Sequence, residues 1–224
     1  MVKAEMIDIG IDRAGVCRYL GYRSADTPSA GIASLIDDCI AKSFPLIQPA
    51  FTCILRDVKS VEGRVSFLDD GSSFQSDVIA RLLEHCDKVA VYVLTVGSQL
   101  EEMGSALAED GFILEAYVVD SIGSSATEKL AEAVQQRIAE EAAAQRLCIS
   151  RRFSPGYCDW HINQQSTIFQ LVDGDSVGVH LTPDCLMVPR KSSSGIVGIG
   201  RCDGCVETYN PCLTCKKNRC PGRR

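Results

Sequence analysis

Five of the twelve cysteines stand in one short segment near the end of the sequence, "RCDGCVETYNPCLTCKKNRC" (201–220). They form two Cys-x2-Cys pairs separated by six residues, and a fifth cysteine that proline follows. A Cys-x2-Cys turn points two thiolates at one tetrahedral centre, and cysteine before proline is typical of iron–sulfur cluster segments. We therefore expect a [4Fe–4S] cluster or zinc, with thiols that bind no metal as the third alternative. The candidate ligands are Cys202, Cys205, Cys212, Cys215 and Cys220; the last three are expected to bind, with the fourth thiolate from one of the first two.

The other seven cysteines lie far apart along the chain, most of them among apolar residues. A reduced thiol in such surroundings behaves as a small hydrophobic side chain. We therefore interpret this second group as core residues: Cys17, Cys39, Cys53, Cys86, Cys148, Cys158 and Cys185.

A second candidate for chemistry is the segment "RRFSPGY" (151–157), which we call the turn segment. Pro155 fixes its own φ and Gly156 can take a positive φ, so a tight turn is predicted. Arg152 offers a planar fork for a carboxylate, and Tyr157 offers a ring for stacking. The combination suits a ligand with an amino-acid end and a flat heteroaromatic end, although Gly and Pro are also typical of purely structural loops.

A third segment, "CLMVPRKSSSGIVGIG" (185–200), has small residues after a basic pair. Taken alone, it is equally typical of an edge strand with a glycine bulge.

Together the turn segment and this third segment resemble the activation domain of cobalamin-dependent methionine synthase and its stand-alone relatives. The resemblance rests on "RFSPGYCDW", on "LMVPRKSSSGIVGIG", on the long helical pattern before them and on "RAGVCRYLGYR" near the start. It covers most of residues 10–200 and implies an S-adenosylmethionine site. The implied binding residues are Arg152, Ser154, Gly156, Tyr157, Ser194 and Gly195. One departure is that Ile196 and Val197 occupy the region where the synthases have an aromatic residue that closes over the ligand.

The function that the resemblance implies is reductive activation of a corrinoid protein. Cob(II)alamin takes one electron, and the resulting cob(I)alamin attacks the sulfonium methyl group. Because cobalt is the nucleophile, the protein supplies proximity and orientation and needs no catalytic acid or base. This agrees with the absence of a catalytic motif around any of the three histidines.

The implied partners follow from this chemistry. With 224 residues, the chain has little room for its own corrinoid domain, so the cobalamin is expected on a methionine synthase or a corrinoid methyltransferase. A flavodoxin or ferredoxin would supply electrons. The cysteine-rich segment at 201–220 would act as an electron relay or a structural knot. Two alternatives stay open: a metal-stabilised adaptor that binds S-adenosylmethionine without turnover, and a methyltransferase with another acceptor. Against the methyltransferase, the sequence lacks the glycine-rich loop that usually follows the first strand in such enzymes.

The elements that must position these residues alternate between helical and strand patterns. Helices are predicted at 11–22, 29–43, 75–86 and 111–146, and strands at 50–58 and 88–97, with Ser98 as a helix cap. The long helix carries an apolar stripe, and Gly123 to Ser125 within it predict a close approach or a break. We expect one α/β (α+β) domain over residues 1–200, with a mixed or antiparallel twisted sheet flanked by helices. Residues 201–224 are expected to form a cysteine-rich metal-binding tail.

Composition excludes several other classes of protein. A hydrophobic fraction of 46% with 23% charged residues is typical of a globular domain. The net charge of −6 and scattered basic residues argue against a nucleic-acid surface. No long apolar segment suggests a signal peptide or a membrane span, so a cytoplasmic protein is expected.

Overall fold

The structure, a computed structural model, describes residues 9–23, 26–213 and 215. The α-helices of this part are α1 (Arg13–Tyr19), α2 (Ala30–Ser43), α3 (Asp77–Leu83), α4 (Gln99–Glu109), α5 (Ile113–Ala144) and α6 (Gln165–Leu171). Its strands are β1 (Ala50–Glu62), β2 (Val65–Leu68), β3 (Ser73–Gln75), β4 (Lys88–Thr95), β5 (Leu147–Phe153), β6 (His180–Leu181), β7 (Met187–Val188) and β8 (Ser192–Arg201).

Six strands form one sheet in the order β3-β2-β1-β4-β8-β5, and β6 and β7 form a separate hairpin. Every neighbouring pair is antiparallel. The predicted α/β class with an antiparallel sheet is therefore confirmed. The edge-strand interpretation of "SSSGIVGIG" is wrong, since β8 lies between β4 and β5 and uses both of its edges.

Strand β4 runs through the centre of two hydrophobic cores, one on each face of the sheet. Ala90, Tyr92 and Leu94 belong to the core beneath α1, α2 and α5, and Val91 and Val93 belong to the core beneath α3 and α6. A strand covered on both faces has a continuous apolar sequence instead of an alternating one. This explains why the sequence of the predicted strand at 88–97, "KVAVYVLTVG", is apolar almost throughout.

Helix α5 crosses the first face of the sheet as one unbroken helix. All six residues of its predicted stripe are buried: Val119, Ile122, Ala126, Leu130, Val134 and Ile138. Gly123 causes no break. A Cβ at this position would lie 3.0 Å from the Cε and Cγ atoms of Lys191, so the glycine makes room for that side chain.

Lys191 connects the start of β8 to two helices. Its Nζ lies 2.7 Å from Asp120 Oδ1 and donates a hydrogen bond to Ser124 Oγ at 3.0 Å, both on α5. Its backbone amide donates to Glu101 Oε1 on α4 at 2.8 Å. These contacts fix the serine-rich beginning of β8.

The four predicted helices differ from the structure by a few residues at their ends, and two helix starts show the cause. The first helix begins only at Arg13, because the Asp12 side chain accepts a hydrogen bond from the amide of Gly15 and caps it. Ser98 occupies the predicted cap position of α4, but its hydroxyl donates to Glu102 Oε1 at 2.7 Å instead of capping the backbone.

The first part of the tail packs against the rest of the chain. A disulfide joins Cys202 to Cys148 on β5, and Val206 is fully buried in the second core. The Tyr209 hydroxyl donates to the carbonyl of Val78 at 2.9 Å, and its ring lies 5.9 Å from that of Phe153. The division into residues 1–200 and a tail stays a prediction. None of the helices in the described ranges is both long and apolar enough to span a membrane.

Candidate functional site

The turn segment and the start of β8 meet at one cavity of about 690 Å³. The register of β5 on β8 shifts between Ile149 and Arg152, after which Phe153 lies opposite Ile196. Four of the six predicted binding residues line the cavity: Arg152, Ser154, Tyr157 and Ser194. The other two, Gly156 and Gly195, shape the backbone around it.

The predicted turn is present. Gly156 has a φ of 91°, and the Tyr157 amide donates to the carbonyl of Ser154 at 3.4 Å. Proline followed by a glycine with positive φ is the arrangement of a type II turn. The Gly156 amide also donates to the carbonyl of Trp160 at 2.8 Å, which closes the segment into a compact loop. Tyr157 is 58% exposed, so its ring stands at the cavity as an available stacking surface.

Trp160 anchors this loop from below and is not part of the cavity lining. It is 2% exposed and meets Phe74 edge to face, with ring centroids 5.3 Å apart. Its Nε1 donates to Gln164 Oε1 at 3.0 Å, and the Gln164 amide group also bonds both backbone groups of Gln75. The only tryptophan of the sequence is therefore a support for the turn.

Asp159 provides a second anchor, which sequence reasoning missed. Its carboxylate accepts hydrogen bonds from Ser76 Oγ at 2.6 Å and from the amides of Asp77 at 2.6 Å and Val78 at 3.3 Å, at the start of α3. Burial raises the pKa of Asp159, but these bonds and the Arg64 guanidinium outweigh burial and leave the pKa below its usual value. The charged form thus fastens the loop to the first turn of α3.

Arg152 has one half of its guanidinium paired and the other half without a partner. Nη2 donates to Glu128 Oε1 on α5 at 2.7 Å, and the side chain is 8% exposed. Nη1 is buried and has no hydrogen-bond partner among the described residues, and the same holds for Ser194 Oγ. Buried polar groups without partners are costly, so a cavity lined by these two residues is suited to a ligand that accepts hydrogen bonds.

Tyr92 forms the floor between these groups and was not predicted. Burial raises the pKa of its hydroxyl, while Arg152 and hydrogen bonds with Ser154 and Ser193 oppose that rise. A Cβ on Gly195 would lie 2.3 Å from the backbone oxygen of Phe153 and 2.9 Å from both Tyr92 Oη and Ser154 Oγ, so only glycine fits there. The sequence gives a signal for Gly195, but Tyr92 becomes visible only once β4 is paired with β8, which places it opposite that glycine.

Further lining residues that the sequence did not reveal are Glu128, Gln165 and Asn210. They come from α5, α6 and the tail, outside both quoted segments, and carry no local signal. The two residues that replace the expected closing aromatic, Ile196 and Val197, are fully buried in the sheet and do not line the cavity.

The cysteines are distributed differently from the sequence interpretation. Cys39, Cys53 and Cys86 are buried as expected, and burial raises the pKa of Cys53 and Cys86 to about 12. Cys158 is exposed and Cys185 half-buried, and both line the cavity, so their interpretation as core residues is wrong.

The disulfide changes the interpretation of two further cysteines. Cys148 is not a reduced core thiol, and Cys202 is not available to a metal while it is bonded to Cys148. Together with Glu207, these two form the one group of three or more possible metal-ligating residues in the described ranges whose ligand atoms lie within 4.8 Å of one another.

The remaining predicted ligands lie in the tail. Cys212 lines the cavity, whereas Cys205 and Cys215 are exposed and do not. Cys220 lies outside the described residues.

Comparison with known proteins adds to this geometry. The family model described as "Vitamin B12 dependent methionine synthase, activation domain" matches residues 69–201, more than half of the chain. A solved structure, that of the MetH reactivation domain bound to AdoHcy, has a TM-score of 0.61 and 15% sequence identity. The match covers 81% of this chain and 68% of that chain, and at this identity it shows the fold alone. No curated protein sequence matches the chain.

Proposed function

Because the chain belongs to the activation-domain family of vitamin B12-dependent methionine synthases, we propose that its cavity binds S-adenosylmethionine and presents the methyl group to cob(I)alamin on a partner protein. The observation that carries the proposal is the meeting of Arg152, Ser154, Tyr157 and Ser194 at one cavity. Its volume of about 690 Å³ lies in the usual range for small-molecule sites. The AdoHcy bound to the related reactivation domain is the demethylated form of the same molecule.

Each end of S-adenosylmethionine has a counterpart in the cavity. The unpartnered Nη1 of Arg152 is suited to the carboxylate of the methionine end. The Tyr157 ring is suited to stacking on the adenine. The Ser154 and Ser194 hydroxyls offer hydrogen bonds to the polar groups between these ends. The turn fixes these groups before the ligand arrives, so that little conformational entropy is lost on binding.

The chemistry then needs no proton transfer by the protein. Cob(II)alamin gains one electron, and cob(I)alamin takes the methyl group from the sulfonium. The C–S bond breaks as the Co–C bond forms, which yields methylcob(III)alamin and S-adenosylhomocysteine. Arg152 and the turn segment hold the methyl donor in place, and this positioning is the protein's contribution to the rate.

We extend the proposal to the partner proteins and the cellular location. The corrinoid arrives on a methionine synthase or a corrinoid methyltransferase, and the electron comes from a carrier such as flavodoxin or ferredoxin. We propose a cytoplasmic location, because the corrinoid partners and S-adenosylmethionine are expected there. Disulfides are rare in the cytosol, so this location requires the Cys148–Cys202 bond to resist reduction. The cysteine-rich tail would bind a metal as an iron–sulfur or zinc centre.

The test follows the visible spectrum of cob(II)alamin bound to a methionine synthase that lacks its own activation domain. Conversion to methylcob(III)alamin should require this protein, S-adenosylmethionine and a low-potential reductant together. Tyr157→Ala should slow conversion at limiting S-adenosylmethionine, with about 0.5–1.5 kcal/mol of lost stacking energy. The control is Phe44→Ala, which changes an aromatic residue of similar exposure that does not line the cavity.

Equal conversion without this protein would contradict the proposal. Binding of S-adenosylmethionine without any conversion would favour the adaptor that binds without turnover.

A further inference from the structure

Three cysteines from separate parts of the chain line the same cavity. Cys158 directly follows the turn segment, Cys185 lies between β6 and β7, and Cys212 belongs to the tail. A cavity with three thiols from three segments is unusual for cysteines that serve only as small hydrophobic residues, because those are generally buried. Here Cys158 is exposed, and Cys185 and Cys212 are half-buried.

The backbone at two of these cysteines is strained. Cys158 has a φ of 56° and Cys185 a φ of 60°, a left-handed conformation that favours glycine. The turn around Cys185 is closed by hydrogen bonds from its own amide to the Thr182 carbonyl at 2.9 Å and from the Leu186 amide to Thr182 Oγ1 at 3.1 Å. Glycine would relieve the strain at both positions. The thiols therefore need an explanation other than packing.

The tail brings its own cysteine to the cavity through specific contacts. Tyr209 is fixed by its hydrogen bond to Val78 and by its contact with Phe153. The Cys212 amide then donates to Asn210 Oδ1 at 3.0 Å, which holds the short turn that begins the second Cys-x2-Cys pair. Cys215, the other member of that pair, follows three residues later.

The sulfur atoms of these three cavity cysteines do not lie close enough together to surround one zinc ion. Four thiolates around one zinc ion, each about 2.3 Å from the metal, lie about 3.8 Å apart. Within the described ranges, Cys158, Cys185 and Cys212 do not form a group of ligating atoms within 4.8 Å of one another. A [4Fe–4S] cluster is larger than a single metal ion, so its cysteine sulfur atoms lie further apart than those around zinc.

From these observations we propose that Cys158, Cys185, Cys212 and Cys215 hold a [4Fe–4S] cluster at the cavity. Two ligands would come from the loops that form the cavity and two from the tail, so the tail alone would not suffice. Cys202 is excluded by its disulfide. Neither Cys205 nor Cys215 lines the cavity, but Cys215 completes the Cys-x2-Cys pair that begins with the cavity residue Cys212. The ligand set is independent of the function proposed above, but the role of the cluster rests on it. An external low-potential carrier would reduce the cluster by one electron. The cluster would then pass this electron to cob(II)alamin, which becomes cob(I)alamin.

The test compares cysteine variants purified and reconstituted without oxygen from iron and sulfide. Wild-type protein should contain about four iron and four sulfide per chain, with a broad visible absorption that dithionite bleaches. Cys158→Ser and Cys185→Ser should each lose most of the iron and of this absorption. Cys205→Ser is the matched control, an exposed tail cysteine that should keep the full iron content. Circular dichroism establishes that each variant is folded.

The proposal is overturned if Cys158→Ser and Cys185→Ser keep the iron of the wild type, if Cys205→Ser loses it, or if the protein contains zinc and no iron. Calorimetry with S-adenosylmethionine on the same samples separates the two proposals. A protein that binds this ligand but holds no cluster contradicts only the cluster. A protein that holds the cluster but does not bind the ligand contradicts only the proposed function.

Discussion

The turn segment and the tail border the same cavity but are held in different ways. The turn segment rests on Trp160, which is buried against Phe74, and on Asp159, which bonds the start of α3. The tail is attached through the Cys148–Cys202 disulfide, Val206 and Tyr209, and Leu213 beyond them is 79% exposed. One side of the cavity is therefore part of the core, and the other is attached at separate points.

This difference suggests a division of tasks. Groups that must be in place before a small ligand binds are best supported by a packed core, because misplacement of the ligand is costly for the reaction rate. A segment attached at separate points depends on each attachment, and a bound metal would add a further one. The two sides should therefore respond to different perturbations.

The largest effect is expected from the disulfide of the tail. Cys148 and Cys202 are 54 residues apart, and closing a loop of this length stabilises the fold by about 4 kcal/mol in the chain-entropy model. Cys148→Ser should lower the free energy of unfolding by about 2–4 kcal/mol under oxidising conditions, as measured by urea denaturation. Addition of a thiol reductant should bring the wild type to the level of the variant.

The control for this experiment is Cys205→Ser, which changes an exposed tail cysteine outside the disulfide. Unfolding of the variant and the wild type at the same urea concentration without reductant would show that the disulfide does not stabilise the fold. Reaction of both Cys148 and Cys202 with a thiol reagent in the folded protein would show that they form no disulfide.

A smaller effect is expected beneath the turn segment. Asp159→Asn removes the charge that bonds Ser76 and the first amides of α3, and should cost about 1–2 kcal/mol of unfolding free energy near neutral pH. The folded pKa of Asp159 is lowered, so this contribution is present above the ordinary carboxyl pKa of 3.8 and is lost as the pH falls through the folded value. The gap between wild type and variant should therefore close in acid, which urea unfolding at several pH values measures.

Asp173→Asn serves as the matched control, since this aspartate also bonds a backbone amide, that of Ser176, but lies outside the loop. A gap for Asp159→Asn that stays constant into acid would show that its charge is not what fastens the turn.

The parts of the molecule that could be predicted from the sequence are those with local causes. The stripe of α5, the apolar run of β4 and the Pro155–Gly156 turn each depend on neighbouring residues, and each was found. Tyr92 could not be predicted as a cavity residue, because its place depends on strand pairing. The same holds for Glu128, which meets Arg152 only through the packing of α5 on β5.

The cysteines show most clearly what the sequence alone does not predict. The sequence interpretation grouped Cys158 with the scattered core cysteines, but its turn exposes it. The pairing of Cys148 with Cys202 joins residues 54 positions apart, and no spacing rule identifies such a pair. Motif spacing found the Cys-x2-Cys pairs of the tail, but the loops that meet them come from elsewhere in the chain.

The most direct test of the central claim is calorimetric titration of the protein with S-adenosylmethionine. We predict saturable binding by the wild type, and a loss of about 1.5–3 kcal/mol of binding free energy for Arg152→Ala, the range of a charge-assisted hydrogen bond. Arg13→Ala is the control. It breaks a different ion pair between an arginine and a carboxylate, that of Arg13 with Asp37, and neither residue lines the cavity. Its affinity should equal that of the wild type. No measurable binding by the wild type, or equal affinity in Arg152→Ala, would contradict the account.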